Sequence, residues 1–173
     1  MIELEKTYLA KKLPGNLKGC RSKEILDIYL PGTSEHPKLR LRKNGDKYEL
    51  TKKEPVNDGD ASHQNEQTII LTQAEFDALN QLDDKRVRKI RYYYDYNGRT
   101  AEFDVFQDSL KGLVVIDFEF ATIDEKANFK MPDFCLAEIT QELFTAGGMI
   151  CGKSYEDIDG ELNKFNYNKL FLE

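Results

Sequence analysis

Apolar and polar residues alternate with a period of two through most of the chain, the signature of strands with one face buried and the other wet. The runs are 2–9, 24–30, 38–43, 47–53, 64–71, 86–96, 99–107 and 113–121, so eight strands are predicted. Asn97-Gly98 lies between the sixth and seventh runs and Asn44-Gly45 between the third and fourth. Both dipeptides favour the left-handed backbone that tight hairpins require. Helical signals are fewer. Thr72-x-x-Glu75 is a capping box followed by Phe76, Leu79 and Leu82 at helical spacing, Thr122-x-x-Glu125 starts a second short helix, and Ser154-x-x-Asp157 heads a third carrying Ile158, Leu162 and Phe165. The longest loop expected is 54–62, rich in acids and turn formers. Consecutive strands joined by hairpins predict an antiparallel meander, an α+β fold dominated by β structure.

The hairpins fix which residues oppose one another. Counting back from Asn97-Gly98 sets Arg91 against Asp104 and Tyr93 against Glu102, with Lys89 on the same face. Arg40 and Arg42 share a face with Thr51 and Lys53, while Leu39, Leu41, Tyr48 and Leu50 take the reverse face. Glu3 and Glu5 alternate with Ile2 and Leu4, and Asp117 and Glu119 with Ile116, Phe118 and Phe120. Adding Glu66, a dozen formal charges share one face of one sheet. Two architectures fit. An open sheet leaves the charges in water, as antiparallel sheets often do. A closed barrel turns them inward around a wet lumen, because a dry one cannot hold unpaired charges. Arginines suit phosphate oxygens, and carboxylates tolerate the same ligand only through bridging divalent cations.

Length and composition narrow the setting. At 173 residues and 20.0 kDa, with 40% hydrophobic and 32% charged residues, the chain suits a single globular domain over 1–173. A net charge of −6 argues against DNA or an anionic membrane as partner. Cys20, Cys135 and Cys151 make neither a paired framework nor a zinc spacing, which points to a reducing compartment. The acidic start of the sequence and the short aliphatic runs offer no targeting or membrane segment, so a cytoplasmic protein, monomer or homodimer, is expected.

In order along the chain, Glu3-Leu-Glu5-Lys6, Leu39-Arg-Leu-Arg42, Tyr48-Glu-Leu-Thr-Lys-Lys53, Glu66-Gln-Thr-Ile-Ile-Leu71, Lys89-Ile-Arg91, Glu102-Phe-Asp104 and Asp117-Phe-Glu119 resemble the motifs of the CYTH, or triphosphate tunnel metalloenzyme, superfamily. The resemblance implies an eight-stranded antiparallel tunnel that binds a small molecule's triphosphate with Mg²⁺ or Mn²⁺. It implies metal binding by Glu3, Glu5, Asp117 and Glu119, with Glu66 and Asp104 contributing. It implies phosphate binding by Arg40, Arg42, Lys53, Lys89 and Arg91, and a catalytic set of Glu5, Arg40, Lys53 and Glu119. Hydrolysis of inorganic tripolyphosphate or of an organic triphosphate is the implied reaction. A class IV type adenylyl cyclase and a non-catalytic polyphosphate-binding module are the alternatives. Two positions depart from the motifs: Thr7 stands where the family has a lysine, and Thr68 where it has a second glutamate. Lys6 is one residue away and so points to the opposite face.

Other signals are weaker. Gly147 to Ser154 fits GxxxxGK[ST] and Leu113 to Asp117 looks like its partner strand, but no parallel sheet can follow residue 154. His36 and His63 are read as solvated, Tyr92, Tyr93, Tyr94 and Tyr96 mainly as packing residues, and Asp58 and Asp60 as part of a solvated turn.

Overall fold

In the computed structural model, which describes residues 2–56, 61–82 and 85–172, nine strands form one sheet that closes on itself. They are β1 (Ile2–Ala10), β2 (Ser22–Leu30), β3 (Leu39–Asn44), β4 (Lys47–Pro55), β5 (His63–Leu71), β6 (Arg86–Tyr96), β7 (Arg99–Phe106), β8 (Val114–Phe120) and β9 (Cys135–Glu138). The order is β5-β4-β3-β2-β6-β7-β8-β1-β9, and β5 also pairs with β1, so the first eight strands make a closed antiparallel barrel with β9 added beside β1. The hairpin registers agree with the sequence reading. Arg91 faces Asp104 and Tyr93 faces Glu102 across β6 and β7. Asn97 and Gly98 both adopt positive φ, 54° and 79°, as a two-residue turn of this hand demands. Between β3 and β4 the turn is Gly45-Asp46, since Asn44 still pairs with Lys47.

Three expectations shift. Strand β4 runs on through Glu54 and Pro55 opposite β5, so the loop begins only at Val56, and Asp58 and Asp60 lie outside the described residues. The first helix, α1 (Gln73–Leu79), ends before Leu82, which is exposed. The capping box of Thr72 and Glu75 forms, and Phe76 is the residue that α1 buries, against Ile28 and Leu41. The four-residue β9 went unread, because it is too short to show a period.

The barrel's outer face is covered by apolar side chains. Tyr8, Phe103, Ile116, Phe118 and Phe120 pack beneath Phe129 and Phe134, which follow the short helix α2 (Ile123–Asn128). Tyr92, Tyr94 and Tyr96 join this cluster, whereas Tyr93 turns inward under the Arg21 guanidinium, 4.1 Å from its ring centroid. Inside, the register alternation places Leu9, Tyr29, Val87, Phe106 and Val115 at one end of the bore. These five form a single cluster with Phe144, Ile150, Tyr155, Ile158 and Leu162 from the C-terminal segment, which includes α3 (Gly147–Ile150) and α4 (Tyr155–Asn163). That end is therefore filled with apolar side chains. The GxxxxGK[ST] stretch becomes α3 and the Ser154 cap of α4, part of this filling rather than a phosphate loop.

Candidate active site

Above that floor the inward positions are charged. Barrel closure brings Glu5 of β1 opposite Glu119 of β8, and Thr7 opposite Asp117, so Glu3, Glu5, Asp117 and Glu119 form one acidic wall. Arg40 and Arg42 on β3, Lys53 on β4, and Lys89 and Arg91 on β6 supply the bases. The dozen charges predicted to share a face thus line the bore. The open-sheet arrangement does not occur.

Most of the bases are held by acids. Lys53 bonds Glu3, lies 3.3 Å from Glu66 and reaches Glu5 at 4.0 Å. Arg91 forks onto both oxygens of Asp104 at 2.6 and 2.7 Å, touches Asp117 at 3.1 Å and also bonds Glu102. Lys89 is the second cation on Asp104, which is 1% exposed. Arg42 forks onto Asp27 at 2.6 and 2.7 Å. Among the described residues Arg40 makes no ion pair, and its buried Nε has no hydrogen-bond partner. The two departures from the motifs are satisfied locally. Thr7 Oγ1 donates to Asp117 Oδ1 at 2.9 Å, and Thr68 Oγ1 donates to Glu66 at 2.8 Å. Lys6 points outward to Glu138 of β9, as strand alternation required.

Asp27 and Tyr29 are bore residues that the sequence did not disclose. Strand β2 carries apolar residues on both faces, Ile25 inward and Ile28 outward, so its period has no readable phase. The usable signal was one acid inside an apolar run, because a buried carboxylate requires a partner. Of the two histidines, His36 is exposed, whereas the His63 ring lies 3.3 Å from the Lys126 ammonium.

The electrostatics divide the acids into two groups. Burial would raise Asp27, but the Arg42 ion pair outweighs it and holds that carboxyl well below the usual range. Burial also opposes Asp104, where Arg91 and Lys89 prevail and bring it down to about 2. On the acidic wall burial wins. Glu5 is pushed up to about 7, with Asp117, Glu3 and Glu119 adding to the shift and Lys53 resisting it. Burial likewise raises Glu102 to about 7 against Arg91, and raises Glu119. Buried carboxylates crowded together in this way form a donor set that suits a divalent cation. Among the described residues, however, no three acid, histidine or cysteine side chains already converge as a metal cage. Asp104 is set apart from the wall by its two cations.

The raised Glu5 pKa predicts a stability trend in protein free of divalent cations. Between about 4.5 and 7 the folded state binds the Glu5 proton that the unfolded chain has released, so stability falls as pH rises through that window. Glu5→Gln removes this component. Melting curves at pH 5 and pH 8 are expected to show the variant gaining on the unsubstituted protein at pH 8 only.

A cavity of about 430 Å³ opens at the rim, lined by Asn97, Gly98, Arg99, Thr100, Glu102 and Glu119. No helix is long and apolar enough to cross a membrane among the described residues.

Comparison with known proteins supplies relatives. An inorganic triphosphatase of Nitrosomonas europaea is 30% identical over 145 residues, covering 82% of this chain and 91% of that protein. The crystal structure of the inorganic triphosphatase NE1496 superposes with a TM-score of 0.63 at 24% identity, covering 87% of this chain and 95% of that one. A second structure of NE1496 gives a TM-score of 0.64 at 25% identity, covering 88% and 99%. No protein-family model matches the chain.

Proposed function

The chain belongs to the CYTH, or triphosphate tunnel metalloenzyme, superfamily, and on that premise we propose that it hydrolyses a triphosphate bound in the bore, with inorganic tripolyphosphate as first candidate. The observation that carries this reading is an acidic wall and a set of inward-facing bases in one bore, filled at its far end. Ordinary surface charge does not produce that arrangement. A linear polyanion of oxygens does require it, provided divalent cations accompany it.

In this reading Glu3, Glu5, Asp117 and Glu119 would hold Mg²⁺ or Mn²⁺, with Glu66 beside them. Such a cation neutralises phosphate oxygens and favours attack by water. The chain's own work is positioning and electrostatics. Arg40 presents a guanidinium that makes no ion pair among the described residues. Lys53 and Arg91, which also face the bore, would offer their N–H groups to phosphate oxygens. Arg42 and Lys89 act from behind, fixed by Asp27 and Asp104. Asp104 serves here as the anchor of two bases rather than as a metal ligand. Placing the phosphate chain rigidly among fixed charges supplies the bulk of catalysis expected for phosphoryl transfer. We take the partner to be a small molecule, since a net charge of −6 disfavours DNA. We place it in the cytoplasm, where three cysteines without a disulfide are at home.

The test is incubation with tripolyphosphate, ATP and thiamine triphosphate in Mg²⁺ or Mn²⁺, measuring phosphate, pyrophosphate and cyclic AMP. Phosphate with pyrophosphate from tripolyphosphate is expected. Cyclic AMP with pyrophosphate from ATP overturns the reading in favour of a cyclase. Thermal stabilisation by tripolyphosphate without turnover overturns it in favour of a binding module.

A further inference from the structure

Among the described residues Arg40 is the bore base that forms no ion pair, and its buried Nε has no partner. An arginine with a buried, unpartnered Nε would sample several rotamers unless something else fixed the side chain. Directly opposite on β2, also facing inward, is Tyr29, 8% exposed, whose hydroxyl and the Arg40 guanidinium feel one another across the strand pair. A phenol oxygen accepts from arginine without neutralising it. The full positive charge is thereby kept for an incoming anion, which a carboxylate partner such as Asp27 would forbid.

The phenol is itself held in place. A side-chain carbon at Gly147 would lie 1.8 Å from the Tyr29 hydroxyl and 2.6 Å from its ring carbon Cζ, so the backbone at the start of α3 rests directly on the tyrosine. At Gly148 the same addition would meet the carbonyl oxygen of Pro37 at 2.3 Å. Two glycines in succession allow the C-terminal segment to press up to the floor of the bore at this point and no larger residue fits.

We propose that Tyr29 is a positioning residue for the triphosphate site: backed by Gly147, it fixes the guanidinium of Arg40 toward the bore while leaving its charge unspent. The inference rests on the reading of Arg40 as a phosphate contact.

Tyr29→Phe removes one oxygen and leaves the ring. Losing the phenol oxygen beside the guanidinium is expected to raise KM for tripolyphosphate about 5–15-fold, with kcat within about twofold and the melting temperature unchanged. Gly147→Ala, which pushes a carbon against the phenol, is expected to raise KM as well, but with a lower melting temperature. Where turnover is too slow to measure, the dissociation constant for tripolyphosphate from calorimetry reads the same shift. Arg40→Gln is the reference. If Arg40→Gln raises KM and Tyr29→Phe does not, or if Tyr29→Phe loses kcat and melting temperature instead, the role of Tyr29 is overturned. If Arg40→Gln itself changes neither KM nor the affinity for tripolyphosphate, it is the assignment of the bore that fails.

Discussion

Glu5→Gln is expected to lower phosphate release from tripolyphosphate by about 10²- to 10³-fold, the loss typical of removing one charged group from a preorganised phosphoryl-transfer site. Glu5 sits at the centre of the acidic wall, opposite Glu119 in register and within 4.0 Å of Lys53. Burial, with three other acids adding to it, raises its pKa, so a cation beside it would be strongly favoured. The substitution preserves shape and removes charge, and the folded state should survive it. Steady-state assays across Mg²⁺ or Mn²⁺ concentration check the result. The variant should retain low activity even at saturating metal. A variant with ordinary activity would remove Glu5 from the site and with it the proposed role of the wall.

Asp104→Asn should have the largest effect on stability, about 3–5 kcal/mol, because it leaves Lys89 and Arg91 with their shared counterion gone in a buried setting. Burial alone would raise the Asp104 carboxyl, and the two cations more than compensate, bringing it to about 2. Its contribution is therefore present above the carboxylate's unfolded pKa and is lost as pH falls toward 2. Urea denaturation at pH 7 and pH 3 should show a wide gap between variant and unsubstituted protein at the higher pH and a narrower one at the lower. As a comparison, breaking the exposed Lys52–Glu54 pair by Glu54→Gln should cost about 0.5 kcal/mol or less. Equal effects from the two substitutions would show that the bore pair is solvated.

Much of this arrangement was legible because strands with one wet face write their orientation into the sequence. Glu-x-Glu, Arg-x-Arg and Asp-x-Glu doublets repeat at the strand period, and Asn97-Gly98 fixes the register that sets Arg91 on Asp104. The same logic turned Lys6 away from the bore, where the structure has it. Legibility failed where apolar residues occupy both faces. The sequence of β2 has no phase, so Asp27 and Tyr29 stayed hidden although both act on bore arginines. Pairing inside the bore was equally invisible. A pattern of doublets shows that Arg42 and Arg40 face the same way, but only the fold shows that one is bound to a carboxylate and the other is not. Which end of the barrel is filled depended on a C-terminal segment whose strand and helices are too short to announce their packing.

The apolar filling at the floor sets the traffic of the site. With Leu9, Phe106 and Val115 locked against the C-terminal segment, nothing can pass straight through. On the proposed reading, an elongated guest would enter and leave by the same doorway, and the product lying deeper would leave after the one at the rim.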